Sequence, residues 1–138
     1  MKLRVMLDTN VLVSAILFPS GSVEHFLQLV TERHHVILCD YVIDELWKVM
    51  WDKFPHKVQA AKAFLRDFRH EVISSPKVWD KTAVPDIRDE KDAAILATAI
   101  FEKADVIITG DKDFLVLAVS QPRIMTMTEF VAMYDSRS

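Results

Sequence analysis

From Asp89 to Phe114 the chain reads DEKDAAILATAIFEKADVIITGDKDF, and few folds accommodate that succession. Acidic residues open an Ala-rich apolar helix, a short β-branched strand follows, and a second acidic turn closes the segment. A helix feeding a buried strand belongs to an alternating α/β architecture. Its two acidic ends gain a purpose if carboxylates from elsewhere in the chain meet them. Upstream, Asp8 and Glu45 are the candidates, each at the edge of an expected element where a fixed backbone aims it.

The alternation runs through the whole chain. Leu3 to Leu7 (LRVML) has the branched apolar character of a buried strand, and Asp8 follows at its carboxyl end. Asp8-Thr9-Asn10 leads into the apolar helix VLVSAIL, stopped by Pro19-Ser20-Gly21. Ser22 is placed to cap the next helix, with an inward stripe of Val23, Phe26, Leu27 and Val30. Val36 to Cys39 reads as a second strand. Asp40 is expected to cap the helix YVIDELWKVMW, which turns Val42, Leu46 and Val49 inward. Pro55 breaks that helix, and HKVQAAKAFLRDF restarts it with Val58, Ala61, Leu65 and Phe68 at helical spacing. Glu71 to Ile73 is the third strand, followed by a loop containing Pro76 and Pro85.

A helix from Glu90 to Lys103 comes next, and its Ala93, Ala94, Ala97 and Ala99 let it lie close against a sheet. Ala104 to Thr109 is the fourth strand, Asp113 to Ala118 a short helix, Arg123 to Met125 an edge strand and Thr128 to Tyr134 a last helix. The expected fold is a three-layer α/β/α sandwich on a mostly parallel sheet, formed by residues 1–138 as one domain. With 51% hydrophobic and 27% charged residues, the chain has globular composition, and it shows no repeat or low-complexity tract. No window is apolar enough for a signal peptide or a membrane span, and Cys39 stands alone, so the expected setting is cytoplasmic.

Asp8 and Asp111 each follow an expected strand, and Asp92 lies in the first turn of the helix before the second of them. Several carboxylates packed at one strand end repel, and some bind protons unless a cation compensates them. Oxygen ligands without His or Cys nearby suit Mg²⁺ or Mn²⁺ rather than Zn²⁺. Such a site activates water and neutralises phosphate oxygens. Simpler roles compete: a solvated helix face for Glu45, an N-cap for Asp89, a partner of the helix dipole for Asp92, and turn chemistry for Asp111 and Asp113.

Taken together, Asp8-Thr9-Asn10 after a strand, Asp44-Glu45-Leu46 in a helix, Asp89 to Asp92 opening an Ala-rich helix, and Thr109-Gly110-Asp111-Lys112-Asp113-Phe114 after a strand resemble the PIN-domain family. The likeness is greatest to the VapC-like toxins of toxin-antitoxin pairs and covers nearly the whole chain. It implies a Mg²⁺- or Mn²⁺-dependent ribonuclease. By motif, Asp8 and Asp92 would be the principal metal ligands, Glu45 and Asp111 would complete the catalytic set, and Asp113 would match a more variable acidic position. Thr9, Asn10, Asp89 and Thr109 would orient those groups or water, with Ser14 a further candidate. The chemistry implied is in-line attack by activated water on phosphorus, leaving a 5′-phosphate and a 3′-hydroxyl. The resemblance also implies an RNA substrate, an antitoxin protein as partner and, as often in this family, a homodimer.

Charge qualifies the choice of partner. A net charge of −3 on its own argues against nucleic acid, but the balance is uneven. From Lys48 to Arg69 six cations face only Asp52 and Asp67. Lys48, Lys57, Lys62 and Arg66 are therefore candidates for RNA or antitoxin contact, with Lys112 a further candidate for phosphate; the competing role for each is a solvated surface lysine or arginine. Trp47 and Trp51 form an aromatic ridge or pack inward. The five His residues lie away from the acidic motifs, which disfavours two-histidine acid-base cleavage. A phosphoacceptor of the haloacid-dehalogenase type would want a second Asp two after Asp8, where Asn10 stands. A PIN-like binding module without catalysis is the alternative of a different class.

Overall fold

The buried apolar runs set the frame. In the computed structural model, which describes residues 1–78, 89–117 and 119–135, the elements in chain order are β1 (Arg4–Leu7), α1 (Thr9–Leu17), α2 (Gly21–Arg33), β2 (His35–Cys39), α3 (Asp40–Lys53), a 3-10 turn (Pro55–Lys57), α4 (Val58–Asp67), β3 (Glu71–Ile73), α5 (Glu90–Phe101), β4 (Val106–Ile108), α6 (Lys112–Leu115), β5 (Arg123–Met125) and α7 (Met127–Tyr134). Pro85 and Ala118, expected in a loop and at a helix end, lie outside the described residues.

The strands form a sheet of order β3-β2-β1-β4-β5, parallel at every pairing. Val5, Met6 and Leu7 of the central β1 are fully buried, as are Ile107 and Ile108 of β4. Strands covered on both faces read as continuous apolar runs, which is why these segments show no alternation. Helices α1, α3, α4 and α5 pack among themselves, and α2 packs on α7, giving the expected α/β/α layering. In α5, Ala94, Ala97 and Ala99 are buried beside Ile95 and Leu96, so the missing bulk admits a close helix approach; Ala93 is only half-buried.

Several boundaries differ from the sequence expectation, each for a local reason. Ser20 rather than Ser22 caps α2, its hydroxyl accepting from Val23 N at 3.3 Å. Asp40 lies inside the first turn of α3 instead of capping it, and its Oδ1 accepts from Tyr41 N and Ser75 N, tying the helix start to the residues after β3. Met50 completes the buried stripe of α3, while Val49 is half-buried. Helix α5 stops before Lys103 because that residue adopts φ 56°, the left-handed region that an L-residue cannot propagate as a helix. Helix α6 ends at Leu115. Cys39 is fully buried, and Trp47 packs against the core while Trp51 is exposed. Among the described residues no helix is long and apolar enough to cross a membrane.

Candidate functional site

The chain runs from β1 to β2 on one side of the sheet and later reaches β4 on the other side of β1. Crossovers that leave a parallel sheet in opposite directions open a crevice at the strands' carboxyl ends. Asp8 follows β1 and Asp111 stands just beyond β4, so both acids flank that crevice. Helix α3 brings Glu45 to it, and the first turn of α5 brings Asp92. Asp8, Thr9, Asn10, Ser14, Glu45, Asp89, Asp92 and Asp111 all line one cavity of about 460 Å³, with Val13, Val49 and Phe54 as its apolar wall.

Asp8 is the most constrained of these groups. Its side chain is buried, and its backbone N–H donates to Ile108 O at 2.9 Å, pinning it to β4. Oδ1 accepts from Thr9 N at 2.7 Å, which makes Asp8 the N-cap of α1. Oδ2 accepts from the Thr109 hydroxyl at 2.7 Å, and that hydroxyl oxygen in turn accepts from Asp111 N at 3.1 Å. Asn10 Oδ1 accepts from Gly110 N at 3.2 Å, fastening the turn after β4 to the start of α1. Thr109, Asn10 and the backbone N–H of Thr9 thus touch the acids or their loops, whereas Ser14 lines the cavity without a side-chain hydrogen bond to any of them among the described residues. Asp89 caps α5, its Oδ1 accepting from Lys91 N at 2.8 Å and Asp92 N at 3.3 Å, so Asp89 and Asp92 enter the cavity from one helix end.

Not every candidate converges. Asp113 is exposed and does not line the cavity; its backbone N–H donates to Asp111 Oδ1 at 2.9 Å, so it serves the cap of α6. Thr109 lines the cavity's neighbour, where Asn10 and Ser14 face Thr126 and Thr128. Lys48, Lys57, Lys62, Arg66 and Lys112 are all exposed, and Arg66 pairs with Asp67 at 3.0 Å. Two cations also line the cavity: Lys53 at the end of α3, one of the six in the basic run, and Lys91, which no sequence signal marks and whose ammonium forms an ion pair with Glu45. Nothing in the spacing of residues 45 and 91 announces that pair, because it depends on how α3 and α5 cross.

Crowding shows in the proton affinities. Burial raises the Asp8 carboxyl above its ordinary value, against the Thr109 and Thr9 hydrogen bonds; Asp111 pushes it further up and Lys91 pulls it down. Asp92 is pushed up to about 6 by burial first and then by the charges of Asp89, Asp8 and Asp111. A hard cation would relieve both.

The donor set suits one: the acidic lining offers carboxylate, hydroxyl and amide oxygens and, among the described residues, no His or Cys. The buried Thr9 hydroxyl has no hydrogen-bond partner among the described residues, leaving an unused oxygen beside Asp8. Yet no three described acidic, His or Cys side chains stand around one point close enough to hold an ion. Glu45 is turned to Lys91 instead, so its entry into a metal site requires that pair to part.

A sequence model of the PIN domain matches residues 4–113. Among solved structures, the fold is similar to a chain of VapBC2 from Rickettsia felis bound to a promoter DNA fragment, with 22% identity, 89% of this chain and 97% of that chain covered, and a TM-score of 0.66. It is similar to PAE2754 from Pyrobaculum aerophilum, at 16% identity, 98% coverage of each chain and a TM-score of 0.67. It is also similar to VapC20 of Mycobacterium tuberculosis, described as a sarcin-ricin loop cleaving toxin, at 15% identity, 80% and 92% coverage and a TM-score of 0.59. No curated protein sequence matches this chain significantly.

Proposed function

The chain belongs to the PIN-domain family, and from that premise we propose that it is a Mg²⁺- or Mn²⁺-dependent ribonuclease of the cytoplasm, the toxin of a toxin-antitoxin pair, acting as one domain over residues 1–138. The observation that carries this reading is the convergence of Asp8, Glu45, Asp92 and Asp111, from four separate stretches of sequence, on one cavity at the sheet's switch point. The toxin assignment draws on the likeness to VapBC2 and VapC20, and the antitoxin partner on the likeness to VapBC2.

Asp8, Asp92 and Asp111 would hold the ion once their side chains close on a common point, with Glu45 joining them after leaving Lys91. When bound, the ion supplies a more acidic water and positive charge against the phosphate. The protein's own groups do the positioning. Thr109 holds Asp8 Oδ2 while Thr9 N holds Oδ1, and each carboxylate oxygen keeps a lone pair for the cavity. The Asn10 amide fixes the Gly110 turn, so the acids after β1 and β4 keep their separation. Val13, Val49 and Phe54 give the cleft an apolar wall on which a ribose or base can rest while the phosphate faces the acids.

Cleavage of end-labelled structured RNAs with Mg²⁺, Mn²⁺ or EDTA, beside the Asp92→Asn variant, tests this reading. Cutting that needs the ion and disappears with Asp92→Asn is the expected result. Cutting that survives in EDTA or in the variant overturns it. The absence of both cutting and metal binding would move the chain to a PIN-like binding module, whereas metal binding without cutting would point to bound antitoxin or a very narrow substrate.

A further inference from the structure

The acidic cavity carries its own cation. Lys91 lies on the first turn of α5, where the Asp89 cap fixes its backbone N–H at 2.8 Å. Its stem crosses to α3, and its ammonium sits on Glu45 Oε2, with the two side chains 42% and 23% exposed. Backbone rigidity ends at the Cα; beyond it lie four methylenes, so the charge can move without moving the helix.

An ammonium and a divalent ion cannot share one carboxylate at contact distance without strong repulsion, and Glu45 has a single carboxylate to give. Resting on the metal-site reading above, we propose that Lys91 is a positioning residue that holds Glu45 in the ion-free cleft and competes with Mg²⁺ or Mn²⁺ for it. Lys91 thus sets the ion concentration at which the site assembles.

Calorimetric titration of metal-stripped protein with MnCl₂, without RNA, tests the inference on wild type, Lys91→Met, Lys91→Arg, Glu45→Gln and the Glu45→Gln/Lys91→Met double variant. Loss of a partly buried ion pair predicts that Lys91→Met tightens Mn²⁺ binding about three- to tenfold. Lys91→Arg, which keeps the charge, binds no tighter than wild type. In the Glu45→Gln background most of the gain from Lys91→Met disappears, because the contested carboxylate is gone. In EDTA, Lys91→Met melts below wild type, and saturating Mn²⁺ closes the gap.

Equal affinity in wild type and Lys91→Met overturns the assignment, and so does a full gain in both backgrounds. The metal-site reading survives either result. Absence of Mn²⁺ binding in every protein overturns that reading and the Lys91 role together.

Discussion

Thr109 donates its hydroxyl to Asp8 at 2.7 Å across the junction of β1 and β4, joining residues 101 positions apart. Because the same oxygen accepts from Asp111 N at 3.1 Å, one buried side chain positions both strand-end acids. Thr109→Val keeps the shape and removes the bonds, leaving a buried carboxylate short of a donor. Such a loss costs about 1–3 kcal/mol, whereas Thr109→Ser retains the hydroxyl. Denaturant midpoints in EDTA should show a clear drop for Val and a small one for Ser. Equal midpoints for Val and wild type would mean that Asp8 has another way to be satisfied.

Asp92 makes the ion-free protein sensitive to pH. Its folded pKa, about 6, lies above the ordinary 3.8. An acid raised on folding contributes stability that is fully present below the unfolded value and is lost as pH rises through the folded one. Asp8, also raised, acts in the same direction. His34, lowered first by burial, acts in the opposite sense in this window, so the raw slope of stability against pH mixes the two. The diagnostic is therefore a difference. In EDTA, Asp92→Asn should gain melting temperature relative to wild type between about pH 5 and about pH 7.5, since the variant lacks the raised acid. A constant difference across that range would show that Asp92 titrates as an ordinary surface carboxylate.

The frame was legible because two signals agreed: short apolar runs, Val5 to Leu7 and Val106 to Ile108, and acids standing at or just past their ends, Asp8 and Asp111. A strand buried on both faces has no other way to look, and an Asp at its end has few bland roles. Legibility ended where a side chain's partner is chosen by tertiary crossing. Ser20 and Ser22 are both good caps, and only the path of the chain after Pro19 selects Ser20. Asp40 has cap chemistry, but its nearest donors in space include Ser75 N beyond β3. Lys91 is one more helix cation in the sequence, and only the crossing of α5 over α3 gives it Glu45.

If the carboxylates form the metal site, Mn²⁺ stabilises the folded chain by mass action, because the unfolded chain scatters them. At a free ion concentration a hundred times Kd the gain is about 2.7 kcal/mol. Asp8→Asn with Asp92→Asn should abolish the rise in melting temperature that Mn²⁺ produces. Both replacements are close in volume, but Asn at position 8 gives up one of the two acceptor oxygens that Thr9 N and Thr109 use, so the Mn²⁺ response of each protein is read against its own melting temperature in EDTA. An undiminished Mn²⁺ response would locate the ion elsewhere on the molecule.

The basic run after Lys48 divides once partners are considered. Arg66 is largely exposed and already engages Asp67 through Nε at 3.0 Å and through Nη2 at 3.3 Å. Lys57 and Lys62 are exposed and have no ion pair among the described residues, so their charges are free for phosphate. Reversal of Lys57 and Lys62 to Glu should therefore weaken RNA binding more than reversal of Arg66. For a single strand, each phosphate that the protein ceases to neutralise flattens the slope of log affinity against log salt by roughly 0.7. Binding of a catalytically inactive Asp92→Asn background to labelled RNA over a series of salt concentrations measures both quantities. Weakened affinity with a shallower slope assigns the two lysines to the RNA path; an unchanged slope makes them a solvated face and leaves substrate binding to Lys53 and the cleft itself.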